Sequence, residues 1–160
     1  STSSGSAMNS STRVVFGGGT DPSANALNTL EYVTIATLGD STDFGDLTDN
    51  KIRYGGCSSS TRGIIAAGAT PSVTNSITFI TIATTGNTTD FGDVTVAKQN
   101  VGAITNSKRA VFISGDTNPA LINAMDYINI ATTGNAQDFG DVMENANHSF
   151  GCSDCHGGLG

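Results

Sequence analysis

Apolar and polar positions alternate along this chain in short runs, and the runs return in the same order three times. In Tyr32-Val33-Thr34-Ile35 the Tyr and Thr fall on one face of an extended segment and the Val and Ile on the other, with the β-branched and aromatic content of a strand. The same alternation is written LEYVTIAT, ITFITIAT and MDYINIAT. Ahead of each lies an Arg with a short apolar run (RVVFGGG, RGIIAAG, RAVFISG), then a polar loop holding Pro22, Pro71 or Pro119. Behind each come a turn (LGDST, TGNTT, TGNAQ), the letters DFGD, and in the first two copies a Gly-containing segment that leads to the next Arg. Gly and Asn tolerate positive φ, which marks the turns. No stretch carries a 3.6-residue apolar stripe over three turns. The pattern predicts an all-β chain with about four short strands per unit.

Phe44, Phe91 and Phe139 lie 47 and 48 residues apart, and Arg13, Arg62 and Arg109 then fall in register. Periods of this length belong to repeat architectures. A single domain over 1–160 is expected, with units at 11–59, 60–106 and 107–148 and a closing C-terminal strand and tail at 149–160. A protein kinase uses one D-F-G, beside a Gly-rich loop, a strand Lys and an H-R-D loop, none of which is present. The triplet here is repeat punctuation. Its Phe is expected to pack between units and its Gly to let the backbone bend. The recurring Arg is expected to bond a neighbouring unit's carbonyl or acid.

Composition narrows the class further. The 160 residues include 20 Gly and no Trp, with 13% charged and 37% hydrophobic residues, too few charges for a disordered chain. A net charge of −7 with only seven Lys and Arg argues against binding nucleic acid through phosphates. No basic amphipathic helix suggests a membrane surface, and no apolar run approaches the roughly 18–20 residues of a membrane span. The chain starts at Ser1, which reads as a processed or trimmed start.

Two constellations resemble chemistry. Asp40, Asp43 and Asp46 surround one turn, with Asp90 and Asp93, then Asp138 and Asp141, in the other units; three such carboxylates are the donors of an oxygen-only calcium site. Acids on a turn more often cap backbone N–H groups and face water, and no metal is expected. CSDCH, at Cys152, Cys155 and His156, matches the C-x-x-C-H of c-type haem attachment. The repeat register gives it a plainer meaning. Cys152 falls where Met8, Cys57 and Ile104 sit, an apolar inward position, and Cys155 where Ser11, Ser60 and Ser107 sit. A core cysteine followed by an incidental thiol is the expectation, with no cofactor; Cys57 is expected to be buried. Phe16-Gly17-Gly18-Gly19 is a strand end and not a phosphate loop, because no Lys-Ser/Thr follows it.

The order of pieces in unit one, a strand ending in Gly-Gly (Val14–Gly18), an alternating strand (Glu31–Ala36), an aromatic-started strand (Phe44–Leu47) and Tyr54–Ser58, resembles the kelch repeat of β-propellers. More closely, YVTIAT, TGNTTDFGD, GGCSSSTR and FGGG, with the ending SDCHGGLG, are similar to kelch-like repeats in structural proteins of tailed phages, tail fibres in particular. The resemblance runs from Ser6 to Leu159. Two departures are the count of three units and Phe79 in place of the Tyr at Tyr32 and Tyr127. It implies three kelch-like blades completed by other chains or belonging to a larger array, since propellers close with four to eight; a threefold β-trefoil or β-prism is the alternative. It further implies a non-enzymatic structural and attachment protein of a virion appendage, located in the virion or outside cells. Its partners would be other copies, other virion proteins, and a host surface glycan or protein met through the loops Thr20–Leu27, Ala69–Asn75 and Asp116–Ile122. The alternatives in function are an extracellular protein with one haem c and a purely structural filament subunit. The C-terminal strand is expected to sit at a contact between chains.

Overall fold

The computed structural model describes residues 5–147 and Gly151. It holds three separate four-stranded antiparallel sheets, each built from consecutive strands and none shared, which is the arrangement of blades. Blade one comprises β1 (Ser6–Asn9), β2 (Arg13–Gly17), β3 (Thr29–Thr34) and β4 (Thr42–Asp46). Blade two comprises β5 (Gly55–Ser58), β6 (Arg62–Ala66), β7 (Thr74–Thr81) and β8 (Thr89–Lys98). Blade three comprises β9 (Gly102–Thr105), β10 (Arg109–Asp116), β11 (Leu121–Asn129) and β12 (Gln137–Ala146). No helix among the described residues is long and apolar enough to cross a membrane.

The blades are offset by one strand from the units as they read in sequence. The Gly-containing strand before each Arg is the first strand of the following sheet, not the last of the preceding one. Turn chemistry sets this phase. Ser10 Oγ accepts from the N–H groups of Thr12 (3.2 Å) and Arg13 (3.1 Å), which closes the β1–β2 hairpin. Ser59 does the same for Thr61 and Arg62, and Asn106 Oδ1 for Lys108 and Arg109. A self-capped short turn favours pairing with the strand that follows. The connections at 47–54 and 99–101 carry the chain from one blade to the next.

Two apolar layers separate the blades. Met8, Val15, Leu30 and Phe44 meet Ile65, Ile80 and Ile82 in the first. Cys57, Ile64, Ile77 and Phe91 meet Ala103, Ala110, Phe112, Ile128 and Ile130 in the second. Successive strand residues point to opposite faces, so the neighbours Ile64 and Ile65, both fully buried, serve different layers. This explains why RGIIAAG is a continuous apolar run: among the described residues, only the middle blade has a blade on both sides. Cys57 is buried at its inward position, as the register predicts. The closing segment 149–160 lies outside the described residues apart from Gly151. That glycine is placed against Ala103 and Ile104, as Gly56 is placed against Ser6 and Ala7.

Candidate recognition surface

At the far end of each β2-type strand from its Arg, the chain leaves the sheet in a connection that differs from blade to blade. The three connections span residues 18–28, 67–73 and 117–120, with strand ends claiming Thr74, Asn75, Asp116, Leu121 and Ile122 from the loops read in sequence. The inter-blade crossings knit this end together. Gly19 N–H donates to Lys51 O, Gly68 N–H to Lys98 O and Asn100 N–H to Arg53 O, while Ile52 and Ala69 exchange two bonds, as do Gln99 and Asp116.

Each loop is also held from within. Asp21 Oδ1 accepts from the N–H groups of Ser23 and Asn25, both at 2.8 Å, and Oδ2 from Asn25 Nδ2 at 2.9 Å. The Asn25 side chain foremost, with the backbone bonds, holds the Asp21 carboxyl below its ordinary value. In blade three Asp116 accepts from Gln99 Nε2 (2.8 Å), Asn100 Nδ2 (2.7 Å) and the Asn118 N–H (3.2 Å). Burial alone would raise that carboxyl; the bonds from Asn100, Gln99, Asn147 and Asn118 together outweigh it and hold it low. Both carboxylates are therefore committed to loop geometry.

Among the described residues, the six non-glycine residues with positive φ all lie at this end: Ala24, Arg53, Ala67, Asn100, Ser114 and Asn118. Four of them recur by register. Ala67 and Ser114 (φ 61 and 49) stand where Gly18 (φ 60) stands in blade one, and Arg53 and Asn100 (φ 58 and 55) are equivalent crossings. Those belong to the scaffold. Ala24 and Asn118 do not recur and belong to their loops, where strained backbone more often accompanies function. The exposed tips display Pro22, Ser23 and Asn25, then Pro71 and Ser72, then Asn118 and Pro119, a neutral surface of hydroxyls, amides and proline rings. Such a surface offers shape and hydrogen-bonding groups.

The opposite end carries the repeated Arg, and the DFGD strand runs from there back toward the loops, Asp46 pairing with Thr29 and Gly92 with Ile77. Arg13 Cζ lies 4.5 Å over the Tyr32 ring, and Tyr32 meets Phe44 edge-on at 6.0 Å. Arg62–Phe79–Phe91 and Arg109–Tyr127–Phe139 repeat the stack. Arg13 Nη1 donates to the carbonyls of Ile82 and Ala83, and Arg62 Nη1 to that of Ile130, the neighbouring-blade bond expected of them. The turn of the next blade fits beside each stack. Gly86 N–H donates to Phe44 O at 2.7 Å and Asp46 N–H to Asn87 Oδ1 at 3.0 Å; Gly134 and Asn135 do the same for Phe91 and Asp93 at 2.7 and 3.1 Å. A Cβ at Gly45 or Gly92 would lie 2.5 Å from the incoming glycine, so the third letter of the triplet permits contact as well as the bend. Register shifts opposite the triplets, at Leu30/Glu31, Ile77/Thr78 and Met125/Asp126, are the bends themselves.

Phe44 and Phe91 are 2% exposed, as inter-unit packing requires, but Phe139 is 49% exposed because among the described residues no further blade lies beside it. Asp40, Asp43 and Asp46 do not converge: among the described residues no three His, Cys, Asp or Glu side chains are grouped to hold a metal ion. Asp40 and Asp43 are exposed on the turn and strand. Cys152, Cys155 and His156 lie outside the described residues.

Two lysines escaped the sequence reading. Lys51 and Lys98, both seven residues after the triplet Phe, are buried between blades. Lys51 Nζ donates to Ser76 Oγ at 2.8 Å. Lys98 Nζ donates to Ala124 O at 3.2 Å and lies 2.6 Å from Asp126 Oδ2, an ion pair off-line for a hydrogen bond, while Asp126 Oδ1 accepts from the Thr95 hydroxyl. Their matched register in the aligned repeats was the available signal. Compared with known proteins, the chain matches no family model and no curated protein.

Proposed function

We propose that the chain is a structural and attachment protein of a virion appendage, a tail fibre, that binds a host surface glycan or protein through its loop end. The observation that carries this reading is the contrast between scaffold and loops. The Arg–aromatic–Phe stacks repeat in all three blades, while the connections at one end run to eleven, seven and four residues (18–28, 67–73 and 117–120). Variable loops on a rigid repeated scaffold are where recognition concentrates. The kelch-like resemblance of the repeats supports the appendage, and the polar, weakly charged loop tips support a hydroxyl-rich or amide-rich ligand.

The test is binding of the folded protein to a glycan array and to intact bacterial cells. Binding should be lost when residues 21–25 are replaced by a short Asn-Gly turn, and kept in Arg109→Ala at the opposite end. Absence of binding to every glycan and cell surface, or binding indifferent to the loop exchange, would overturn the proposal.

A further inference from the structure

The two outermost faces of the chain are the two halves of the seam that it forms twice within itself. On blade three, Ile104, Val111, Met125, Tyr127 and Phe139 occupy the positions that Cys57, Ile64, Ile77, Phe79 and Phe91 use on blade two to meet the next blade. Phe139 is 49% exposed where Phe91 is 2%, and a Cβ at Gly140 meets nothing within 4 Å where one at Gly92 meets Gly134. Arg109 lies on Tyr127 and is exposed.

Blade one offers the converse. Its outward residues Val14, Phe16, Val33 and Ile35 stand where Gly63, Ile65, Ile80 and Ile82 of blade two meet blade one. Ile35 is 54% exposed, whereas its equivalents Ile82 and Ile130 are 1% and 3%. Its turn, Leu38-Gly39-Asp40, is the counterpart of Thr85-Gly86-Asn87; Leu38 is fully exposed and a Cβ at Gly39 meets nothing within 4 Å. Asp40 offers a side-chain acceptor where Asn87 and Asn135 offer theirs.

We infer that a second copy of this chain docks blade one against blade three, so that Arg109 donates to the carbonyls of Ile35 and Ala36, Gly39 N–H to Phe139 O, and Asp141 N–H to Asp40. The argument is continuity: the surfaces already pair twice in one chain, through the same atoms at the same register. The contact is head-to-tail, and head-to-tail contacts either close or polymerise. Two copies supply twice the three sheets of one chain, six blades, inside the four to eight at which propellers close. Gly151, placed against Ala103 and Ile104, stands at the first-strand place of the new seam, the register of Ala7, so the copy's β1 competes with it there. One internal feature is missing from it. Ala146 stands where Lys51 and Lys98 stand, and Glu31, which accepts from Ser41, faces it without a lysine. The inter-chain seam is therefore the weakest of the set, and the pair is reversible.

Light scattering across a dilution series should show the mass rising to twice 16.2 kDa at high concentration. Ile35→Glu and Phe139→Glu, both on exposed faces, should each halve that mass with strand content unchanged by circular dichroism. Mixed in equal amounts, the two variants should associate again, because one seam of the mixed pair joins two unaltered faces. A wild type that stays monomeric to its solubility limit would overturn the inference. So would variants that keep the doubled mass, or a mixture that fails to associate although both variants are folded.

Discussion

Arg13 donates from Nη1 to the carbonyl of Ala83, 2.9 Å away, and ties the head of one blade to the turn of the next. Arg62 makes the equivalent bond to Ile130 at 2.7 Å while stacked on Phe79. A charged donor on a carbonyl together with a cation–π contact contributes about 2–3 kcal/mol. Arg62→Ala is expected to lower urea-unfolding stability by that amount. Arg62→Lys should recover only part of it, because an ammonium lacks the planar fork. Arg109→Ala, with no neighbouring blade in dilute protein, should change stability by less than about 1 kcal/mol.

The three triplet phenylalanines should separate by burial. Phe91→Ala removes a buried ring from the second layer and is expected to cost about 3–5 kcal/mol. Phe139→Ala, half exposed, should cost about 1 kcal/mol. Asp90→Asn, on the exposed edge, should fall within about 0.5 kcal/mol of wild type. Thermal melts rank the three; an Asp90 variant worse than the Phe91 variant would make the acids a metal site after all.

The two buried lysines should respond in opposite ways. Lys98→Met strands the Asp126 carboxylate, 1% exposed, and is expected to cost about 3–5 kcal/mol, most of which returns in Lys98→Met/Asp126→Leu. Lys51 has no acid against its ammonium beyond a distant influence of Asp49, and burial pulls its pKa down. Replacing it with Met keeps the apolar stem and removes the desolvated charge. Lys51→Met should therefore be neutral or stabilising within about 1 kcal/mol in denaturant titrations.

Tyr54 links the first crossing to blade one, its hydroxyl donating to Gly17 O at 2.5 Å and accepting from the Ser6 N–H at 3.2 Å. Burial pushes its pKa from the ordinary 10 up to about 12. Below pH 10 the phenol is neutral in both states and its contribution is whole. Between 10 and 12 the unfolded chain ionises first, so stability falls with rising pH, by about 2–3 kcal/mol over the window. Tyr54→Phe should lose about 1–2 kcal/mol at neutral pH. The stability difference between wild type and variant, followed from pH 9 to 12, should shrink and then reverse sign.

Cys155 occupies a Ser position in the repeat register, and Cys155→Ser is expected to fold with an unchanged melting temperature. An absorption spectrum of the wild type should show no Soret band. A band that survives denaturation would restore CSDCH as a haem attachment site.

The strands were legible from the alternation of LEYVTIAT and its two counterparts and from the short apolar runs ahead of them, and the Arg role was legible because a charge that recurs once per unit has one structural job. The phase of the blades was not, since a periodic string has no intrinsic start; the Ser10, Ser59 and Asn106 turn caps set it. Lys51 and Lys98 were not legible, because a lysine's burial depends on a partner blade that no local pattern reveals. Phe139 matched its equivalents letter for letter and differs only in having no blade beside it.

Arg13 and Gly17 mark the two ends of one five-residue strand. Four steps of about 3.3 Å put roughly 13 Å between the ends. The arginine anchors and the loop tips thus sit on opposite poles of each blade, with a rigid ladder between them. Heredity can lengthen, shorten or exchange a loop at one pole without disturbing the joint at the other. On the attachment role proposed above, that independence lets new loop sequences be tried on a frame whose arginine anchors stay the same.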